Sequence, residues 1–307
     1  MRLGVSTAQC GPLADAAAVR SAARAAEQIG YSSLWVLDRL LAPFRPREGY
    51  AGTDQPLSEE MRATLDPFAV LAVSAAETSR IRLGTSVLVA PWYPPVVLAR
   101  MLTTLDVLSN GRLTAGLGVG WSSDEYAAVG LEMRGRGVRL EETLDVLDAF
   151  WSDGPVAHQG DLTHIVPSHN LLRPVQRPRP PLFLAAYTPA GLDRVARRAD
   201  GWMPAGLPVE LLAPMWAHVR DAAAAHGRDP QDLELVVRAN IVLTPTPTDG
   251  ERRSYMGNVE QVASDIEATR AAGADEVILG VYGVRHLDDA LDAYARIAEA
   301  SGMGAPV

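Results

Sequence analysis

Eight times along this 307-residue chain a short apolar strand pattern gives way to an amphipathic helical one. That alternation limits the fold more than any other feature. Strands are predicted at 2–6, 33–37, 82–89, 113–117, 182–186, 201–203, 233–243 and 276–280. Helical periodicity covers about 15–29, 66–78, 95–108, 136–151, 189–199, 209–226, 259–272 and 287–300. Gly30, Gly111 and Gly273 follow the first, third and seventh helices, where glycine ends a helix readily. Strands that alternate with helices make parallel sheets, so a (β/α)8 TIM barrel is expected, with a doubly wound open sheet as the rival. One domain spanning 1–307 is expected, without internal repeats or an interdomain linker. Three connections exceed the usual length: about 39–65, 152–181 and 244–258. The first and third leave the carboxyl ends of strands, where barrel enzymes build their sites. The stretch FRPREGYAGTDQPLSEEMR, 44–62, is polar and rich in Pro and Gly, and reads either as a lid or as a surface excursion.

Charge and composition remove whole classes of function. The net charge is -9 and basic tracts are missing, which argues against nucleic acid and anionic membranes as partners. No apolar run reaches the roughly 18–20 residues of a membrane helix, and a strand begins at residue 2, so a cytoplasmic protein is expected. Cys10 is the single cysteine, which excludes an intramolecular disulfide. Every one of the 28 Lys+Arg residues is arginine. Schiff-base chemistry, pyridoxal phosphate anchoring and a P-loop all need lysine and are therefore excluded. The lysine-free, Ala/Arg/Gly/Pro-rich usage points to a GC-rich genome, as in an actinobacterium.

Several segments could hold an anionic ligand. LTAGLGVGWSSDEY, 113–126, sets Gly116, Gly118 and Gly120 where a strand turns into a helix. Free amides at a helix start favour a phosphate, although a tight structural turn would need the same glycines. Trp121 stands where the dinucleotide fingerprint requires its third glycine. PPLFLAAYTPAGLDRVARRADGW, 180–202, repeats the strand, small residues and helix start near Thr188-Pro189. Asp38 and Arg39 end an apolar strand, either to orient a ligand or to close the strand end as an ion pair. In RIRLGTSVLVAP, 80–91, the small residues Gly84-Thr85-Ser86 interrupt a buried strand, which marks a bulge or a close approach. His158, His164, His169, His218, His226 and His286 lack metal-ligand spacing, and the three within 152–181 read as loop residues. Glu141 and Glu142 read as a helix face, and no G-x-S-x-G elbow occurs. With neither a nucleophile nor a metal site in view, the difficult chemistry is left to a cofactor.

Taken together, AARAAEQIGYSSLWVLD, IRLGTSVLVAP, LTTLDVLSNGRL, GLGVGWSSDEY, RPVQRPRPPLFLAA and ARRADGW resemble the bacterial luciferase-like superfamily, and within it the oxidoreductases dependent on coenzyme F420. The likeness covers nearly the whole chain and implies a barrel, small-molecule chemistry and a homodimer. It also implies a cis peptide at Ser86–Val87 backing the deazaflavin ring, with small residues at 84–86 making room and Val89 beside it. Asp38 would lie at the ring's polar edge. Gly118, Val119, Gly120, Trp121 and Ser122 would hold the tail and its phosphate, completed by Ala185, Ala186, Tyr187 and Thr188. Arg39 stands where many relatives carry His, and Trp121 where sugar-phosphate dehydrogenases of the group carry Glu. The expected function is hydride transfer between F420 and a small organic substrate, with Arg39 and Asp38 as catalytic candidates. An FMN-dependent monooxygenase and a non-catalytic F420-binding protein are the alternatives.

Overall fold

The computed structural model describes residues 1–49 and 57–302. The first strands and helices are β1 (Arg2–Ser6), α1 (Ala16–Ile29), β2 (Ser33–Val36) and α2 (Pro67–Glu77). The third strand position is divided into β3 (Arg82–Thr85) and β4 (Leu88–Val89), followed by α3 (Pro95–Leu108). Next come β5 (Leu113–Gly118), a short α4 (Ser123–Ala128), α5 (Arg136–Trp151) and an antiparallel hairpin of β6 (Val156–Gln159) and β7 (His164–Ser168). The chain continues through β8 (Leu182–Leu184), α6 (Pro189–Arg198), β9 (Gly201–Trp202), α7 (Leu212–Ala225) and β10 (Glu234–Leu243). It ends with β11 (Met256–Gly257), α8 (Val259–Ala271), β12 (Glu276–Val281) and α9 (Leu287–Ala300).

Parallel pairing runs β10-β12-β1-β2-β3-β5-β8-β9, and β9 returns to β10 through Gly201↔Glu234 and Leu235↔Trp202. That last ladder joins the two ends of the sheet, so the fold is a closed barrel of eight strand positions and not the open sheet. All eight expected strands and eight expected helices are present, most within two residues. Helix α4 and the β6–β7 hairpin were not expected; the hairpin occupies part of the 152–181 excursion, and β11 part of 244–258. Residues 50–56 of the expected 44–62 lid lie outside the described residues.

Local signals start several helices. Asp15 caps α1 by accepting from the amides of Ala17 and Ala18, and Gly30 ends that helix at φ 97°, a conformation glycine adopts freely. Asp66 precedes Pro67, and Thr188 precedes Pro189: a side-chain cap followed by the residue that tolerates the first helical position. Outward strand residues such as Leu34, Leu83, Leu117, Val237 and Leu279 pack against the inner faces of the helices.

The barrel interior has its own small core of Trp35, Phe183, Met203, Val236 and Ile278. Trp35 is paired in register with Gly84, and a Cβ at Gly84 would fall inside the indole. A Cβ at Gly4, on the opposite flank, would stand 2.7 Å from Trp35 Nε1. Trp35 therefore requires a residue without a side chain at Gly84, whatever else approaches the strand. Beneath this layer Glu276, fully buried, accepts from Ser33 Oγ and from Trp35 Nε1 and pairs with Arg2 and Arg82.

Candidate active site

At the carboxyl end of the third strand position the ladder to β5 breaks. Gly84 pairs with Thr114 and Leu88 with Leu117, four steps on one strand against three on the other, so one extra residue bulges out. Thr85 bridges the gap, its hydroxyl donating to Gly116 O at 2.7 Å and accepting from Gly116 N at 2.9 Å. The Ser86–Val87 peptide within the bulge is cis. Half-buried Val87 then faces β5 and β8: a Cβ at Gly118 would lie 2.7 Å from Val87 Cγ2 and 3.5 Å from Ala185 Cβ. Gly120, at φ +65°, would meet Val89 Cγ1 at 2.7 Å. The two glycines are thus required by Val87 and Val89, whatever else approaches them. Val87, Gly118 and Ala185 form a low apolar wall at the mouth.

Asp38 stands at the end of β2 and is only 7% exposed. One carboxylate oxygen, Oδ2, accepts from Val89 N at 3.0 Å and from Tyr93 Oη at 2.9 Å. Burial pushes its pKa up to about 6, helped by the nearby charges of Glu125 and Asp66 and opposed by those two hydrogen bonds. Burial and Asp38 together raise the Tyr93 hydroxyl as well.

Arg39 does not face Asp38. Its guanidinium pairs with Glu125 at 3.1 Å, lies 4.7 Å above the Trp121 ring and donates to Leu41 O at 3.1 Å. Glu125, 1% exposed, also accepts from Leu40 N at 2.8 Å and Leu41 N at 3.1 Å. The strand-end ion pair weighed from the sequence is therefore replaced by a pair across β2 and α4. Neither Tyr93 nor Glu125 was singled out by sequence. The Ser-x-x-Glu spacing of Ser122 and Glu125, a helix-start signature, was the signal that could have found the second.

Several amides at the two helix starts expected to meet a phosphate already have acceptors on this chain. Ser122 Oγ caps Glu125 N at 3.3 Å, and Ser123 N donates to Glu48 Oε2 at 3.0 Å. Arg47 adds a backbone bond and an ion pair to Asp124, at 3.0 and 3.1 Å. Thr188 Oγ1 accepts from Gly191 N at 3.2 Å. The Val119 carbonyl takes the Tyr126 hydroxyl at 2.6 Å, and the Ala186 carbonyl takes Trp202 Nε1 at 2.9 Å. Tyr187 is half-exposed, but its hydroxyl both donates to Ala205 O and accepts from Ala205 N, each at 3.0 Å. It is a brace between two loops. The residues picked from sequence do gather at one end of the barrel, on the β2, β4, β5 and β8 side.

Where β1, β10 and β12 meet, and reaching β2 at Leu37, a cavity is lined by Ser6, Gln9, Cys10, Glu60, Arg238 and Tyr282, among apolar neighbours. Gln9 fastens it, donating to Leu37 O and Leu65 O and accepting from Leu37 N, all at 2.8 Å. Arg238, 5% exposed, donates to Asn240 Oδ1 at 3.1 Å and to Tyr282 Oη at 3.4 Å. These residues were missed too, though Arg238 and Asn240 alternate as polar positions within an apolar strand.

A family model described as luciferase-like monooxygenase matches residues 1–293. This chain belongs to that family. A relative described as an uncharacterized protein, from Mycobacterium tuberculosis, is 34% identical over 245 residues, 78% of this chain and 84% of its own length. An F420-dependent glucose-6-phosphate dehydrogenase of Amycolatopsis mediterranei is 30% identical over 224 residues, 70% of this chain and 62% of that enzyme. Among solved structures, a monooxygenase of Streptomyces bottropensis superposes with a TM-score of 0.79 at 24% identity, covering 98% of both chains. The luciferase-like fold is thereby shared from end to end. Among the described residues no helix is long and apolar enough to cross a membrane.

Proposed function

We propose that this chain is an oxidoreductase that transfers a hydride between coenzyme F420 and a small organic substrate. The observation that carries the reading is the apolar wall of Val87, Gly118 and Ala185, placed beside the buried carboxyl of Asp38. A flat ring needs such a wall, and small groups there leave it room. The similarity to an F420-dependent dehydrogenase supports the choice of cofactor. When bound, F420 would supply the hydride acceptor or donor. Val87, Gly118 and Ala185 would support the ring, and Val89 N with Asp38 would mark its polar edge. Asp38, its pKa pushed up to about 6 by burial, can hold or release a proton at working pH while Oδ2 keeps accepting from Val89 N and Tyr93 Oη. Arg39 positions Trp121 and α4 through Glu125 and does not reach toward the mouth as a free charge. The cofactor tail would pass Gly120 to Ser122 and the start of α6 near Tyr187 and Thr188, and a phosphate drawn to Ser123 N would have to displace Glu48.

Titration of the purified protein with F420 and separately with FMN, followed by absorbance and fluorescence, tests the reading. Binding of F420 with turnover of a substrate supports it. Preference for FMN would instead make the chain a monooxygenase using reduced flavin and dioxygen. Binding of F420 without turnover across a broad substrate panel would leave a cofactor-binding protein.

A further inference from the structure

We propose that Asp38 takes up a proton on Oδ1 when a flat ring closes over Val87, Gly118 and Ala185. In the complex it then stands as a neutral donor to a ring carbonyl, not as a carboxylate. The inference rests on the F420 reading for the identity of the ring, and on the surroundings of the carboxyl alone for the proton.

The two carboxylate oxygens of Asp38 are unlike. Oδ2 already accepts from Val89 N at 3.0 Å and from Tyr93 Oη at 2.9 Å. Oδ1 accepts from none of the described residues, yet it is not sealed from solvent. Tyr93 is kept in place by its ring, which stands edge-on to Phe68 with 5.6 Å between centroids. With both donors committed to Oδ2, an added proton belongs on Oδ1. Val89, whose amide holds Oδ2, is two residues beyond Val87 of the wall. The wall and the carboxyl are thus joined by one short stretch of backbone.

The charges around Asp38 oppose its ionisation. Glu125 on α4 and Asp66 at the start of α2 bear on it most, and both are acidic. The adjacent Arg39 turns to Glu125 instead, and Asp38 has no ion pair among the described residues. Its pKa already stands at about 6, burial being the main cause, while Oδ1 keeps its contact with solvent. A ring that covers Oδ1 removes the remaining water, and an unpaired carboxylate stripped of water is driven further toward its neutral form. The proton comes from solvent, adds to Oδ1 and breaks no bond in the ligand. The resulting O–H donates to a carbonyl oxygen, whereas a carboxylate would meet that oxygen with charge of the same sign.

Calorimetric titration of the full chain with F420 at about pH 7.5, in buffers of different ionisation enthalpy, counts the protons exchanged on binding. Wild type should take up close to one proton more than Asp38→Asn, whose amide is a neutral donor from the start and keeps an acceptor for Val89 N and Tyr93 Oη. Wild-type affinity should also fall about tenfold from pH 7 to pH 8 relative to that variant. Carbon-13 NMR of the Asp38 carboxyl gives a readout on wild type alone, which decides the matter if the variant does not fold. The carboxyl should titrate at about 6 in the free protein and remain protonated at pH 7 in the complex. Equal proton counts in the two proteins, or a carboxyl that stays ionised at pH 7 in the complex, overturns the proposal. FMN is the second probe. If FMN binds and F420 does not, while the uptake still depends on Asp38, the F420 reading falls and the proton uptake stands. If F420 binds without that uptake, the uptake falls and the reading stands.

Discussion

Asp38 and Arg39 are adjacent in the chain, yet they are held by different elements and should respond differently to substitution. Asp38 has a raised pKa, so the folded state binds a proton more tightly than the unfolded chain does. Its burial penalty is absent below the unfolded value near 4, grows as pH rises, and is complete above the folded value of about 6. Asp38→Asn keeps an acceptor for Val89 N and Tyr93 Oη without the charge. The variant should therefore gain stability relative to wild type by up to about 3 kcal/mol between pH 4 and 7, measured by denaturant unfolding at each pH. A difference that stays flat across that window would show that Asp38 is not the titrating group. Arg39→Ala leaves the Glu125 carboxylate buried with the amides of Leu40 and Leu41, and should cost about 3 kcal/mol. Adding Glu125→Gln should recover a large part of that loss in thermal unfolding, and no recovery would separate the two residues. The sequence alone placed both groups at the strand end. It could not tell which way each would turn, because their partners, Tyr93 and Glu125, are 55 and 86 positions away and reach them only in the closed barrel.

Secondary elements were legible wherever their pattern was long. The eight main helices carry apolar stripes over ten or more residues, and the strand runs are flanked by turn residues. Helix α4 has six residues and no room for a stripe, so its cap is the one signal it leaves in sequence. Yet α4 carries Glu125 and receives Arg47 and Glu48, which ties it to residues 39–48 after β2. A second cross-link joins α5 to α6. Glu141 on α5 accepts from Arg194 and Arg197 at 2.9 Å and pairs with Arg198 at 3.3 Å. It reads as a mere helix face in sequence, since all three arginines lie more than fifty residues downstream. Glu141→Ala should lower stability by about 1–2 kcal/mol at low ionic strength, partly exposed as the network is, and the loss should shrink in high salt. An effect that ignores salt would point to packing instead.

At the scale of the molecule, closure was predicted from alternation, and the β9–β10 ladder supplies it. What alternation could not reveal is how the barrel is filled. The glycines at 84, 118 and 120 admit either a structural turn or a ligand in sequence, and in the fold Trp35, Val87 and Val89 lean across them. A strand pattern shows a small residue without showing which neighbour leans across it. The buried charge at the base is similar: Glu276 looks like an ordinary strand terminus, yet it gathers Arg2, Arg82, Ser33 and Trp35 from three strands. Glu276→Ala should be among the most destabilising single changes in the chain, about 3–5 kcal/mol, by leaving two arginines at the barrel floor without their shared acceptor. A thermal midpoint within a few degrees of wild type would show that the floor is held by packing alone.

Cys10 gives this architecture a practical use. Its thiol lines the cavity beside Arg238 and contacts Thr64 Oγ1 at 3.6 Å, in a sequence that has no second sulfhydryl and no lysine amine. A maleimide or iodoacetamide reagent therefore has one side-chain address, and it is inside the mouth. With the thiol's pKa raised by burial, alkylation should be slow and should slow further when a ligand fills the cavity. The rate of that one reaction becomes a footprint of occupancy, readable by intact mass without labels, mutations or turnover.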